Sequence, residues 1–183
     1  MYFEASLKER ARKFLRLVTK RYARLPGDIT IEVSTECGQA CPMCFRGPLG
    51  INGRTMDYVL FSSLMDGLRS AFAAGRPNYL NFVGLGEPLL NEALRDMLKL
   101  AKKTFPAAAL NVSTSLAVPD HALFSALSGE NPVNRISVSI DSPGGGSLHP
   151  FSRQISENLA FLKEMKNRGG FKIRLQTLIT SKE

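Results

Sequence analysis

The chain has 183 residues, of which 44% are hydrophobic and 22% charged, and its formal net charge is +8. This length predicts one domain, and the composition is that of a globular protein. No apolar run approaches the roughly 18 residues of a transmembrane helix, and the first residues lack the apolar core of a secretory signal. We therefore expect a cytoplasmic protein without a membrane span. The three cysteines are an odd number, which argues against a disulfide framework and favours metal or redox chemistry.

Most of the positive charge lies in the N-terminal segment. Residues 1–24 hold eight basic and two acidic side chains, a net +6, whereas the other 159 residues carry only +2. Apolar residues recur there at three- and four-residue steps, which predicts an amphipathic helix: Leu7, Ala11, Phe14, Leu15, Val18 and Tyr22. We assign residues 1–27 to this basic helix. It either caps one end of the fold or offers a surface to RNA, an acidic peptide or a membrane.

From residue 28 onward, strand and helix patterns alternate. Runs of β-branched and apolar residues predict five strands, at 29–34, 79–83, 110–114, 136–140 and 171–179. Apolar stripes predict helices at 57–74 and at 91–104 with Asn91 as its cap, a short helix from Pro119 to 128, and a helix that carries Ile155, Leu159, Leu162 and Met165. This order predicts right-handed crossovers and a parallel sheet.

The predicted fold class is α/β. We expect a partial, TIM-like (β/α) barrel of about five units over residues 28–183, since the chain is short for a closed eight-unit barrel, which takes roughly 200 to 250 residues. The N-terminal amphipathic helix is added to this core.

All three cysteines lie within eight residues, directly after the first predicted strand. Cys37, Cys41 and Cys44 have the spacing C-x3-C-x2-C, so three thiolates on one loop can converge on one inorganic centre. Iron–sulfur clusters usually have four cysteine ligands. Three would leave one iron with the open coordination position that a catalytic metal site needs.

Other interpretations of the cysteines stay open at this point. Structural zinc needs four ligands, and the two histidines, His121 and His149, are far along the chain. A redox dithiol formed by Cys41 and Cys44 would leave Cys37 without a role. The third alternative is a set of unligated, buried cysteines.

With this motif the chain resembles the radical S-adenosylmethionine (radical SAM) superfamily, from about residue 29 to residue 183. The resemblance implies a 4Fe–4S cluster held by Cys37, Cys41 and Cys44, with S-adenosylmethionine bound to the open iron through its amino and carboxylate groups. The family usually has an aromatic residue before the last cysteine. Here Met43 stands in that place and Phe45 follows, and we expect both beside the adenine, since a thioether also packs on aromatic faces.

The turn after the second predicted strand strengthens the resemblance. The run Gly84-Leu85-Gly86-Glu87-Pro88 is similar to the family's Gly-Gly-Glu-Pro motif. Glycines allow a backbone to approach a ligand closely, and carbonyl and carboxylate oxygens suit an ammonium group. The resemblance implies that Gly84, Gly86, Glu87 and Pro88 receive the amino group of the methionine moiety.

The third and fourth strand ends match the family in part. Ser113-Thr114-Ser115 stands where the family often has Ser/Thr-Thr-Asn-Gly, and Ser139-Ile140-Asp141-Ser142-Pro143 resembles the Ser-x-Asp-Gly-Pro segment of its peptide- and protein-modifying (SPASM-type) branch. The resemblance implies cofactor contacts for Ser113, Ser139 and Asp141, with Ser139 at the ribose or methionine part, and a carboxylate contact for Arg153. The alternatives are a local cap, a turn-shaping aspartate and a solvated arginine.

One argument is independent of the family. The cysteine loop, the Gly84–Pro88 turn, Ser113 and Ser139 all lie at, or just after, the carboxyl end of a predicted strand. That edge carries the active site in barrels and in open α/β sheets alike.

The function implied by the resemblance is reductive cleavage of S-adenosylmethionine to methionine and a 5′-deoxyadenosyl radical, which abstracts a hydrogen from a peptide, protein or small-molecule substrate. A flavodoxin- or ferredoxin-like protein would donate the electron. Because we expect the sixth strand to be missing, one alternative is a truncated, non-catalytic iron–sulfur and S-adenosylmethionine binding module, or one part of a two-chain enzyme. The basic helix supports a further alternative, an RNA-modifying radical SAM enzyme.

Overall fold

The structure is a computed structural model that describes residues 26–41, 44–72, 75–118, 133–140 and 152–177. These residues form the following elements: β1 (Asp28–Ile31), α1 (Tyr58–Ala71), β2 (Tyr79–Phe82), a 3-10 turn (Pro88–Leu90), α2 (Leu94–Thr104), β3 (Ala109–Thr114), β4 (Arg135–Ser139), α3 (Ser152–Gly169) and β5 (Lys172–Gln176). Residues 1–25 of the predicted N-terminal helix and the predicted helix from Pro119 lie outside the described residues.

The five strands form one parallel sheet in the order β1-β2-β3-β4-β5. A doubly wound sheet reverses its strand order at a switch point, whereas each strand here pairs with the next one along the chain. Right-handed crossovers between such strands keep the connections on one face, as in a (β/α) barrel. The described strands do not close on themselves, which confirms the predicted partial barrel.

The start of α1 agrees with the sequence prediction, whereas the predicted cap of α2 is wrong. Asp57 caps α1, because its carboxylate accepts a hydrogen bond from Leu60 N at 2.7 Å. The helix α2 begins at Leu94, three residues after the expected cap Asn91. Asn91 is buried instead, and its side-chain amide donates to backbone carbonyls 58 and 35 residues away in the chain, at 2.7 and 3.0 Å.

One face of the sheet, the apolar face, carries the hydrophobic core. Ile31, Phe82, Val112 and Ile136 occupy the same row of the strand register, and all four are buried. The ring of Phe61 on α1 lies 6.0 Å from the ring of Phe82, centroid to centroid. None of the helices in the described part of the chain combines the length and apolarity that a bilayer crossing requires.

The opposite face, the polar face, has a different composition. One register row on it contains Thr30, Asn81, Asn111, Arg135 and Lys172. Parallel sheets are commonly buried on both faces and then have nearly continuous apolar strands. Here every second residue of β4 and β5 is polar, so the polar face is not a second core.

Candidate functional site

The cysteine loop follows β1, and its base is held by backbone pairing. Ser34 forms a single antiparallel bridge with Thr55, and Thr35 N donates to the carbonyl of Arg54 at 2.8 Å. The two ends of the loop therefore lie side by side at the carboxyl end of β1.

Cys37, Cys41 and Cys44 are half-buried in this loop and form no disulfide. Cys44 N donates to the carbonyl of Cys41 at 3.0 Å, and the Cys41 thiol donates to Gln39 Oε1 at 3.4 Å. Among the residues that the structure describes, no three His, Cys, Asp or Glu side chains are arranged to hold a metal ion. The donor set suits an iron–sulfur cluster, since thiolates are its usual ligands.

Arg46 is a neighbour of the thiols that sequence reasoning missed. Its Nη1 donates to the carbonyl of Cys37 at 3.3 Å, and its Nε is buried without a hydrogen-bond partner in the described structure. Its position two residues after Cys44 was the available signal. Phe45 is 67% exposed, and Met43 lies outside the described residues.

The Gly84–Pro88 turn lies against the backbone that leads into the cysteine loop. A Cβ on Gly86 would overlap the backbone of Ser34 and Thr35, and one on Gly84 would overlap the side chain of Glu32. Glu87 N donates to the carbonyl of Glu36 at 2.7 Å. The two glycines thus permit a close contact between two strand ends, and this contact places the turn beside the loop that carries the thiols.

The carboxylate of Glu87 is buried and joins the ends of β2 and β3. Its Oε2 accepts hydrogen bonds from Ser115 N at 2.8 Å and from Ser115 Oγ at 2.7 Å, while Oε1 accepts from Leu89 N at 3.1 Å in the turn begun by Pro88. A carboxylate has about four lone-pair positions, so three hydrogen bonds leave about one for a ligand. The implied contact between Glu87 and an amino group stays a prediction.

Leu116, two residues after β3, is the one non-glycine residue with a positive φ in the described structure, at φ 58. It is fully buried, its backbone N donates to Thr114 Oγ1 at 2.9 Å, and its carbonyl accepts from Asn158 Nδ2 of α3 at 2.8 Å. Left-handed backbone favours glycine. Leu116 therefore holds a backbone conformation that glycine would adopt without strain.

Ser139 and Arg153, two further residues predicted at the cofactor, lie in different parts of the structure. Ser139 ends β4 and is half-buried. Arg153 lies in the first turn of α3 with its side chain 92% exposed, and its Nε donates to Glu157 Oε1 at 2.9 Å. No hydrogen bond or ion pair joins Arg153 to the cysteine loop or to the Gly84–Pro88 turn within the described residues. Asp141, His121 and His149 lie outside them.

A cavity of about 580 Å³ opens on the polar face. Ser113 and Ser139, both predicted at the cofactor, line it together with Asn81 and Asn111, whose side chains share a 2.7 Å hydrogen bond. Arg135 and Arg174 line it as well, and the sequence analysis did not single them out. The strict alternation of polar and apolar residues in β4 and β5 was the signal for these arginines.

No protein-family model and no curated protein sequence matches the chain. The chain is similar to BtrN in a crystal structure with AdoMet and 2-DOIA, with a TM-score of 0.56, 25% sequence identity, and coverage of 82% of this chain and 57% of BtrN. A BtrN structure in an open conformation gives a TM-score of 0.57 and 20% identity, covering 84% of this chain and 57% of that one.

Methylornithine synthase (PylB) is also similar, with a TM-score of 0.56 and 17% identity over 94% of this chain and 51% of PylB. The chain therefore spans a little over half the length of these proteins. BtrN and PylB are radical SAM enzymes. The likeness to BtrN at 25% identity supports the radical SAM superfamily for this chain, whereas the likeness to PylB at 17% shows the fold alone.

Proposed function

We propose that this chain is the core of a radical SAM enzyme that binds a 4Fe–4S cluster and AdoMet. The observation that carries the proposal is the C-x3-C-x2-C set of half-buried, unbridged cysteines on the loop after β1 of a partial (β/α) barrel. The likeness to a BtrN structure that contains AdoMet supports it. The bound cluster supplies one-electron chemistry, in which AdoMet is cleaved to methionine and a 5′-deoxyadenosyl radical that takes a hydrogen from the substrate.

The chain's own residues bind and orient the cofactors in this proposal. Cys37, Cys41 and Cys44 hold the cluster, and the Gly84–Pro88 turn offers its backbone carbonyls to the ammonium group of AdoMet. The turn suits this role because Glu87 N is hydrogen-bonded to the carbonyl of Glu36, immediately before Cys37. Glu87 also fixes the end of β3 through Ser115, so three strand ends are held together at the site.

The electron donor and the substrate are further parts of the proposal. A flavodoxin- or ferredoxin-like protein would supply the electron, since all three cysteines of the chain are committed to one cluster. Phe45 keeps its proposed place beside the adenine, and its 67% exposure leaves the ring accessible to that ligand. The substrate is a peptide, a protein or a small molecule.

A second candidate function is a binding module that holds the cluster and AdoMet without turnover, or one part of a larger enzyme. The chain spans 57% of the length of BtrN and 51% of that of PylB, so cofactor binding and turnover are tested separately.

Anaerobic reconstitution with iron and sulfide tests both candidates. We expect about four iron atoms per chain in the wild type, and loss of the cluster in C37S, C41S and C44S. Ala40→Ser is the matched control, because it adds a hydroxyl to the same loop without removing a thiol. A wild-type protein that binds no cluster, or cysteine variants that bind it as well as A40S does, would contradict the proposal.

A second measurement, the release of 5′-deoxyadenosine, distinguishes a catalytic radical SAM core from a binding module without turnover. With a chemical reductant and AdoMet, the enzyme releases 5′-deoxyadenosine, measured by chromatography. A protein that holds the cluster and AdoMet but releases none is the module.

A further inference from the structure

We propose that Arg135 and Arg174 bind the phosphate or carboxylate group of a small-molecule substrate in the cavity on the polar face. This assignment rests on the proposed function, because it names the class of substrate for the same barrel. The cavity measures about 580 Å³, which is within the usual range of roughly 300–1,000 Å³ for small-ligand sites.

The described part of the cavity lining carries positive charge without a compensating carboxylate. Among the residues that the structure describes, the lining includes the two arginines and no aspartate or glutamate. Glu32, which follows β1, is not among them and accepts a hydrogen bond from Leu85 N. The ion pairs found in the described residues all lie on the helices. An anionic ligand would neutralise the positive charge of the two guanidinium groups.

The strand register brings the two arginines together. Arg174 pairs with Ser137 of β4, and Arg135 lies two residues before Ser137 on the same face. With strands about 4.8 Å apart and a rise of about 3.3 Å per residue, their α-carbons are roughly 8 Å apart. Two long guanidinium side chains at that spacing can contact one phosphate or carboxylate group.

Arg135 and Arg174 line the cavity and have no protein acceptor in the described residues, as is also true of Arg54 and Arg95 on the exposed surface. Arg69 donates to Asp66, Arg76 to the carbonyl of Ala107, and Arg153 to Glu157. Within the part of the chain that the structure describes, no hydrogen bond or ion pair is found for the guanidinium of Arg135 or Arg174. A guanidinium has five N–H donors in a planar fork that matches phosphate and carboxylate oxygens, so a bidentate ligand would satisfy them.

The rest of the lining suits a small polar molecule. Asn81, Asn111, Ser113 and Ser137 present amide and hydroxyl groups across β2, β3 and β4. Hydrogen bonds from these groups would fix the orientation of hydroxyl or amino substituents on the ligand. The volume favours a small molecule over a nucleic acid, whose backbone follows an extended basic surface.

Isothermal titration calorimetry on the full chain, without cluster or AdoMet, tests this site. The probes are inorganic pyrophosphate, as the phosphate source, and citrate, as the carboxylate source. We expect at least one of them to bind the wild type and to lose about tenfold in affinity in both R135Q and R174Q. Arg95→Gln is the matched control, since it removes the same charge from the exposed surface of α2 and should leave binding unchanged.

Arg135→Lys provides a second variant in case R135Q does not fold, which circular dichroism would show. Lysine keeps the charge but loses the bidentate fork, so we expect intermediate binding. The proposal is overturned if neither probe binds the wild type, if R95Q weakens binding as much as R135Q does, or if a single-stranded RNA binds with the same dependence on Arg135.

The two proposals can fail separately. Absence of anion binding leaves reductive cleavage of AdoMet untouched, because the titration contains neither cofactor. Absence of 5′-deoxyadenosine from a reconstituted protein removes the proposed enzyme and leaves the anion site in place.

Discussion

The two faces of the sheet come from the same strands but serve different purposes. Phe82 and Asn81 are neighbours on β2, yet Phe82 is fully buried on the apolar face while Asn81 lines a cavity on the polar face. Successive side chains of a strand point to opposite faces, so one short segment contributes to both. Packing on the apolar face stabilises the fold. The polar face and the carboxyl edge of the sheet carry the side chains that can bind ligands.

The largest expected effect tests the apolar face. Phe82→Ala removes a fully buried ring that packs on Phe61, and we expect it to lower the free energy of unfolding by about 3–5 kcal/mol. Asn81→Ala, the adjacent residue on the polar face, removes one side-chain hydrogen bond to Asn111 and should lose about 1 kcal/mol. Urea denaturation measures both. Equal losses would show that the two faces do not differ in this way.

The second prediction concerns the edge where the faces meet. Glu87→Gln replaces one acceptor oxygen with an NH₂ group beside three donors, so we expect a loss of about 1–3 kcal/mol in the free energy of unfolding. Glu32→Gln is the control: its carboxylate is exposed and accepts a single backbone hydrogen bond, from Leu85 N. We expect a clearly smaller loss there. If E87Q and E32Q unfold at the same denaturant concentration, the carboxylate of Glu87 does not hold the ends of β2 and β3 together.

The smallest expected effect concerns the backbone conformation of Leu116, which follows β3. Leu116→Ala and Leu116→Gly both delete its buried side chain, but glycine accepts φ 58 without strain. We expect L116G to be more stable than L116A by about 1 kcal/mol. At Leu162, equally buried inside α3, the order should reverse, with glycine less stable than alanine by about 1 kcal/mol. Thermal unfolding of the four variants gives both differences, and alanine proving the better residue at both positions would refute the argument.

Much of the fold was predictable because its signals are local. The five strands were placed from short β-branched and apolar runs, and their order and parallel pairing are confirmed. The apolar stripe placed the start of α1 near residue 57, and the structure shows that Asp57 caps the helix through a bond to Leu60 N, three residues further on. The start of α2 was predicted wrongly, because the Asn91 amide donates to carbonyls far away in the sequence, while its Oδ1 accepts only from Ala93 N just before the helix.

The site was predictable only in part. The cysteine spacing and the Gly84–Pro88 turn are contiguous motifs, so the sequence indicated them directly. Arg135 and Arg174 are separated by β4, α3 and the segment between them, and each alone resembles a surface arginine. They meet because the register of β4 and β5 places them on the same face.

The sequence by itself determined which residues can perform chemistry and where each strand lies along the chain. Both depend on short local patterns of residues. The tertiary structure alone decided which of these residues meet. Glu87 reaches Ser115 across 28 residues, and Asn158 reaches the carbonyls of Leu116 and Val118 across 42 and 40 residues. The physical reason is that such contacts depend on the register between parallel strands and on helix packing, and neither is encoded in a short run of residues.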